Sequence, residues 1–325
     1  MPPASDDQER TPPSPDTAFA TLGDETRMEI LQTLGEAEES LSFSELHTRV
    51  SVRDSGRFNY HLDKLVGHFV RRSDDGYELA RAGERVIEAV LSGVVTDRPT
   101  VEPTRIDQSC QYCGAPIAVE YREERISVLC TGCAGTYGRR DDESEYGHIG
   151  SLYLPPAGVE NRDPAELYSA GRTWGGLATM ATASGVCPRC SAPIEESIEI
   201  CDEHEGDDVC GACGSRYAVG VAFRCTNCIY ERSGLVGVRF LTNTDLLALL
   251  TGHGINPITP ESHSRIGTAF AYDEEVLSVE PFEARLTFTV DGDSLTLTVD
   301  DDLAVIDVTR DRNDRTQDRS NGDGG

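Results

Sequence analysis

Residues 49–72 read RVSVRDSGRFNYHLDKLVGHFVRR and form the one clearly basic island in the chain. Six cations, Arg49, Arg53, Arg57, Lys64, Arg71 and Arg72, stand against Asp54 and Asp63, a local balance of +4 within a formal net charge of -28. Lys64 is the only lysine. A positive island in an acidic chain points to nucleic-acid phosphate as its partner. Its apolar residues fix its form. Phe58, Leu62, Leu65 and Val66 recur at spacings of four, seven and eight, the inward face of a helix starting near Asp54-Ser55 and ending near Gly67. Arg57, Tyr60 and Lys64 then project together from the opposite face, with Asn59 and His61 on its flanks. Arginine, asparagine and lysine are side chains that pair with base edges and phosphates in a major groove.

Working outward, the order of elements around this helix is that of a winged helix-turn-helix over 16–96. Phe19, Leu22, Met28, Ile30, Leu31 and Leu34 give an apolar helical stripe broken at Gly23-Asp24. Ser42 is placed to cap a short helix over about 43–50, with Leu46 and Val50 inward. Phe69 to Arg72, a turn at Asp74-Asp75-Gly76 and Tyr77 to Leu79 predict a β-hairpin, the wing. Arg71 and Arg72 sit at its base, where they reach the DNA backbone or minor groove. A last helix over about 81–92 carries Val86, Ile87, Val90 and Leu91.

Two stretches of this block resemble a known family. Leu22-Gly23-Asp24-Glu25-Thr26-Arg27-Met28-Glu29-Ile30-Leu31 is similar to the first-helix signature of ArsR-type winged-helix regulators. Asn59-Tyr60-His61-Leu62-Asp63-Lys64-Leu65 resembles that family's recognition-helix motif. The likeness covers roughly 17–92 and implies a DNA-binding repressor or activator, usually a homodimer on double-stranded DNA. Metal-sensing members carry Cys-x-Cys on the second helix, where this chain has Glu45-Leu46-His47-Thr48-Arg49-Val50, so sensing at that position is not implied. His68-Phe69-Val70 replaces the family's usual Gly-Leu-Val. The whole arrangement resembles haloarchaeal regulators of this type with a cysteine-rich extension.

The acidity fits that likeness. Of 29 basic residues 28 are arginine, against 57 acidic ones, a bias similar to that of proteins from salt-loving archaea. A basic partner or a metal such as calcium is the alternative use for the carboxylates. Acidity does not exclude DNA binding, because at ~1 M salt the Debye length is only about 3 Å. Counterion release then contributes little, and affinity rests on close contacts.

The 11 cysteines fall almost wholly in Cys-x-x-Cys pairs, which favours metal over disulfides in a reducing compartment. Cys110-x2-Cys113, sixteen residues, then Cys130-x2-Cys133 is the spacing of a zinc ribbon over 106–138. A second module over 186–231 repeats it: Cys187-Pro-Arg-Cys190-Ser-Ala-Pro-Ile echoes Cys110-Gln-Tyr-Cys113-Gly-Ala-Pro-Ile. Cys201, His204, Cys210, Cys213, Cys225 and Cys228 bring this module to eight ligands, enough for two ions and up to three structural Zn2+ in all. By analogy with the first ribbon, Cys187 and Cys190 are expected to join Cys210 and Cys213, leaving Cys201 and His204 with Cys225 and Cys228. A nested pairing is the alternative. His204, in the acidic run Asp202-Glu203-His204-Glu205, is the weakest of the ligands.

The remainder completes an α+β multidomain chain: a winged helix-turn-helix, two small zinc-ribbon-like modules and a C-terminal α+β domain. A helix over 163–183 carries Leu167, Ala170, Gly171, Trp174, Leu177, Ala178 and Ala181 on one stripe, for core or dimer packing. The α+β domain, 235–309, has a helix from Thr244 to Leu250. Strands follow at Leu286–Val290 and Leu295–Val299 about an Asp291-Gly292 turn, with another over 303–308. Segments 1–15 and 310–325 are expected to be disordered. No apolar signal core and no run near the ~18 residues that span a bilayer is present, so a soluble, cytoplasmic protein without membrane contact is expected. There is no His-Glu-x-x-His, and no His-x-Glu precedes the cysteine pairs, so no enzyme is expected. The expected function is sequence-specific transcriptional regulation. The alternatives are an adaptor whose ribbons contact the transcription machinery, and a zinc or thiol-redox sensor.

Overall fold

Gly23 and Asp24 split the first apolar stripe into two helices, α1 (Pro15–Leu22) and α2 (Glu25–Gly35), because the Asp24 carboxylate accepts the Arg27 amide at 3.2 Å and caps the second. The computed structural model describes residues 13–139, 145–206, 208–259, 262–267 and 270–312, and the chain divides into two compact units at Asp97–Arg98. The segments expected to be disordered fall largely outside the described residues, although Pro15 already opens α1. Among the described residues no helix is long and apolar enough to cross a membrane.

In the first unit, Ser42 and Glu45 form a reciprocal capping box at the start of α3 (Phe43–Arg49). Asp54 caps α4 (Ser55–Leu65) by accepting the Arg57 amide at 2.6 Å. The hairpin β1 (Val70–Ser73) and β2 (Gly76–Leu79) pairs antiparallel from Val70↔Leu79 to Ser73↔Gly76, and Leu41 adds a bridge to Tyr77. The turn is therefore Asp74-Asp75, with Gly76 inside the strand at φ 139° and pressed against the Leu41 backbone. Phe58, Leu62 and Leu65 are fully buried among Ile30, Leu31 and Leu46, and each such side chain contributes about 1.5–3 kcal/mol. The last helix, α5 (Arg81–Leu91), buries Ile87 but leaves Leu91 exposed, contrary to the expected stripe.

The second unit is a mixture of helices with three small sheets, which with the β1–β2 hairpin gives four among the described residues. β3 (Val101–Ser109), β4 (Pro116–Arg122), β5 (Arg125–Cys130) and β6 (Gly147–Tyr153) make the first, in that order. The first cysteine module is thus larger than the expected 106–138. Its outer strands gave no sequence signal: β3 is mostly exposed, and β6 (Gly-His-Ile-Gly-Ser-Leu-Tyr) is interrupted by glycine.

Helix α6 (Pro164–Ala183) buries the expected Leu167 and Gly171 but not the rest of the expected stripe. Leu167, Tyr168, Gly171 and Gly175 are buried, whereas Trp174 is 54 % and Leu177 49 % exposed. The two glycines let the helix approach the sheet closely. A Cβ on Gly171 would fall 2.3 Å from Ile126 Cδ1, and one on Gly175 would lie 3.3 Å from Leu152 Cδ2. The expected stripe held Gly171 but missed Gly175, whose contact is made by the absence of a side chain.

β7 (Ile194–Ile200), β8 (Val219–Cys225) and β9 (Glu231–Leu235) form the next sheet, and a 3-10 segment (Val236–Thr242) leads to α7 (Thr244–Gly252) and α8 (His263–Gly267). β10 (Asp273–Val279), β11 (Phe282–Val290), β12 (Asp293–Val299) and β13 (Val305–Asp311) close the chain as a meander. The expected boundary at 235 does not separate two cores. Val219, Val221 and Phe223 of β8 share one cluster with Leu246, Leu250, Leu286 and Phe288.

That shared core holds an ionisable group. Glu274 accepts the Ala218 and Val219 amides on Oε1 at 2.8 and 3.1 Å, while its buried Oε2 has no partner among the described residues. Burial pushes the carboxyl up to about 7 against those two amides. The folded chain therefore holds this proton more tightly than the unfolded one. The stabilisation is complete below about pH 4.3 and is lost as pH rises through about 7. Glu274→Gln should gain on the wild type between pH 5 and pH 8 by on the order of 1–3 kcal/mol, read from urea unfolding at both pH values. A difference independent of pH would refute this assignment.

Candidate metal centres and the exposed face of α4

Three of the five Cys-x-x-Cys pairs, those opening at Cys110, Cys187 and Cys210, sit in the same backbone turn. The Gly114 amide donates to the Cys110 carbonyl and the Cys110 amide to the Ala115 carbonyl, at 2.9 and 2.8 Å. Ser191, Cys187 and Ala192 repeat this pair of bonds, as do Gly214, Cys210 and Ser215. The residue after the second cysteine turns left-handed, at φ 71° for Gly114, 61° for Ser191 and 65° for Gly214. Glycine does this without strain. The turn aims amides at sulfur: Tyr112 N lies 3.4 Å from Cys110 Sγ, and Gly132 N and Cys133 N each 3.3 Å from Cys130 Sγ.

Strand pairing decides which turns meet. In the β4–β5 hairpin Ile117 faces Cys130, which joins Cys110 and Cys113 to Cys130 and Cys133. In the β7–β8 hairpin Ile194 faces Cys225 in the same way, so Cys187 and Cys190 join Cys225 and Cys228. At the far end of that hairpin, beyond Ile200↔Val219, the loop gathers Cys201, His204, Cys210 and Cys213. The pairing of Cys187 and Cys190 with Cys210 and Cys213 is therefore corrected to the nested one. Sequence proximity suggested the nearer turn, but the counterpart of Cys130 is Cys225, and the third group is an insertion at the hairpin tip.

Within each of the three groups all ligand atoms lie within 4.8 Å of one another. A tetrahedral shell with metal–sulfur bonds of about 2.3 Å sets neighbouring sulfurs about 3.8 Å apart. Cys110–Cys133 is 3.8 Å, Cys133–Cys130 3.5 Å, Cys187–Cys228 3.7 Å and Cys190–Cys225 3.4 Å. A disulfide would require about 2.05 Å. His204 enters the third group through Nδ1, 3.4 Å from Cys213 Sγ. Protonation agrees with the geometry. Burial pushes Cys110 up to about 11 and Cys133 higher, while the Ala192 amide and then the Cys225 thiol hold Cys190 down at about 6. Four thiols this close cannot all ionise unless a cation offsets their repulsion. The donor sets fit a metal ion at all three groups.

On α4, Arg57 and Lys64 are exposed and have no carboxylate partner among the described residues. Tyr60 is 56 % exposed between them, with Lys64 Nζ 5.5 Å from its ring centre. Asn59 is exposed but donates to Asp63 Oδ2 at 2.8 Å. His61 is corrected from the flank of this face to the interior: it is 6 % exposed, and its Nδ1 lies 3.2 Å from Asp24 Oδ1. Helical phasing puts residue 61 at the edge of the apolar face, and the cap of α2 supplies a polar neighbour there. On the hairpin, Arg71 is tied to Glu78 at 2.7 Å, and the Arg72 guanidinium lies 5.5 Å from the Tyr77 ring centre.

Metal analysis of the purified chain should give three ions. Replacing Cys201, Cys210 and Cys213 with Ser and His204 with Ala should leave two. One remaining ion would restore the pairing by sequence proximity, because that pairing makes these four residues serve two sites.

Residues 107–305 match the family described as a domain of unknown function (DUF7351), and residues 15–90 match a second such domain (DUF7347). No curated protein and no solved structure matches the chain. The first match spans more than half of the sequence and all twelve ligands of the three metal groups. The chain belongs to the DUF7351 family.

Proposed function

We propose that the protein is a sequence-specific DNA-binding transcriptional regulator of ArsR type, with a winged helix-turn-helix in its first unit and three structural zinc ions in its second. One observation carries the DNA reading. In a chain of net charge -28, the exposed face of α4 presents Arg57, Tyr60 and Lys64 side by side, and neither cation is neutralised by a carboxylate among the described residues. The order α2, α3, α4 and hairpin, with the Leu41–Tyr77 bridge as a third short strand, supports a recognition helix followed by a wing. Arg57 and Lys64 reach bases or phosphates; Tyr60 packs against the backbone and steadies Lys64. Arg72 is freer than Arg71 to meet phosphate, because Arg71 is already held by Glu78. A homodimer on a two-fold operator is the assembly this reading expects.

Zinc suits donor sets of four thiolates, or three thiolates and one imidazole, closed to solvent ligands. Such sites require a reducing compartment, which favours the cytoplasm. Their role is to fold segments too small to hold a core of their own.

Binding of the full chain to selected duplexes in molar potassium chloride, followed by fluorescence anisotropy, tests the proposal. Arg57→Ala and Lys64→Ala should each cost ~1–3 kcal/mol of specific affinity. His61→Ala should instead lower thermal stability and leave the specificity pattern intact. Unchanged binding by both Arg57→Ala and Lys64→Ala would overturn the recognition-helix assignment. Capture of transcription machinery without DNA retention would favour the adaptor reading.

A further inference from the structure

The second unit holds a partly open cavity of about 530 Å³ between the first sheet, α6, β9 and the segment around α8. Its walls are largely apolar, with Val128, Leu152, Phe223, Leu235, Ile266 and Phe270 among them. Its charged lining runs against the rest of the chain: three arginines, Arg125, Arg172 and Arg232, and one carboxylate, Glu231. Glu231 is engaged by Arg224 at 3.2 Å, and Arg125 bonds to the Tyr153 hydroxyl at 3.0 Å. Arg172 and Arg232 remain. Among the described residues neither has a hydrogen bond or a carboxylate partner; Arg172 Nε is wholly buried and unbonded.

Arg172 is surrounded by protein yet keeps accessible surface, as a side chain lining an internal space does. Its guanidinium lies 5.4 Å from the Phe270 ring centre, and Tyr168 also favours its charge. Burial depresses its pKa, and the nearby Arg232 works in the same direction. His263 does not relieve this. It is buried, its Nδ1 accepts from the Tyr168 hydroxyl at 2.6 Å and its Nε2 donates to Gln111 Oε1 at 2.7 Å. Burial and the charge on Arg172 hold that imidazole neutral, with its pKa near 3. A buried cation without a partner is among the most unfavourable groups a fold can contain. Arg172 is such a group, and the half-buried Arg232 faces the same cavity, so the two together offer a site for an anion.

We propose that this cavity binds a small organic carboxylate, with its charge met by Arg172 and Arg232 and its apolar body lodged among the aliphatic and aromatic walls. The volume lies within the ~300–1,000 Å³ of small-molecule sites. Guanidinium matches a carboxylate bidentately, and the Phe270 ring beside Arg172 favours a flat body next to the charged end. The site stands apart from the DNA-binding proposal, since none of its residues belongs to the first unit.

Calorimetric titration of the metal-replete full chain, without DNA and in molar potassium chloride, tests the site. The probes are benzoate, phenylacetate and hexanoate, with benzamide as the uncharged analogue and inorganic phosphate as an anion lacking an apolar body. At least one carboxylate should bind saturably at one per chain. Benzamide should bind about tenfold more weakly or not at all, and Arg172→Met should weaken the carboxylate ~10–100-fold. The ligand-free Arg172→Met protein should melt no lower than the wild type, because it loses an uncompensated charge. Arg232→Gln, at a half-buried strand position, should weaken binding in the same direction without touching the core. The proposal is overturned if no carboxylate binds, if benzamide binds equally well, if phosphate alone binds, or if both arginine variants keep full affinity.

Discussion

The pairing of Ile194 with Cys225 fixes more of this molecule than any other contact. It sets the register of the β7–β8 hairpin, and a slip of one residue would turn Val219, Val221 and Phe223 from the core to solvent. The same register brings the turn of Cys187 against that of Cys225 at one end and leaves the tip group to close the other. The first ribbon obeys the same rule through Ile117 and Cys130. Metal sites and hydrophobic core are thus set by one alignment of backbone hydrogen bonds.

This coupling explains how small cysteine-rich pieces become one unit. Arg216 donates to the Gly135 carbonyl at 3.0 Å and pairs with Asp208 at 2.7 Å, and its guanidinium lies 4.6 Å from the Tyr112 ring centre. One side chain therefore joins the first metal turn to the loop carrying the third group. Structural zinc contributes about 10–16 kcal/mol in isolated fingers, comparable with the ~5–15 kcal/mol net stability of a whole domain. With a common core from β8 to β12, metal binding as proposed would be coupled to the folding of that part of the unit.

The sequence is most readable where a local rule and the tertiary contact agree. Asp24, Ser42 and Asp54 are helix caps by residue type, and all three act as caps. Phe58, Leu62 and Leu65 follow helical phasing into the core. Membership of the metal groups was legible from Cys-x-x-Cys spacing, since the turn that presents two sulfurs is itself local. Partnership was not, because Cys187 meets Cys225 through a register that no local signal encodes. The same limit hid part of the contact face of α6, where Gly175 packs by leaving room. It hid the anionic site as well: Arg172 and Arg232 stand sixty residues apart and have no motif. The one available hint was an arginine amid small apolar residues on a helix.

Salt acts on the two groups of cations unequally. The side chains of Arg57 and Lys64 lie in solvent, where molar salt limits electrostatic reach to about 3 Å, so they act only on what touches them. Arg172 lines a partly enclosed cavity with its Nε buried, so salt screens its field less than that of the exposed pair. An acidic exterior in molar salt therefore places little constraint on what an interior cation can bind. Discrimination by charge at molar salt falls to the groups that solvent reaches least, and Arg172, with its buried Nε, is one of these.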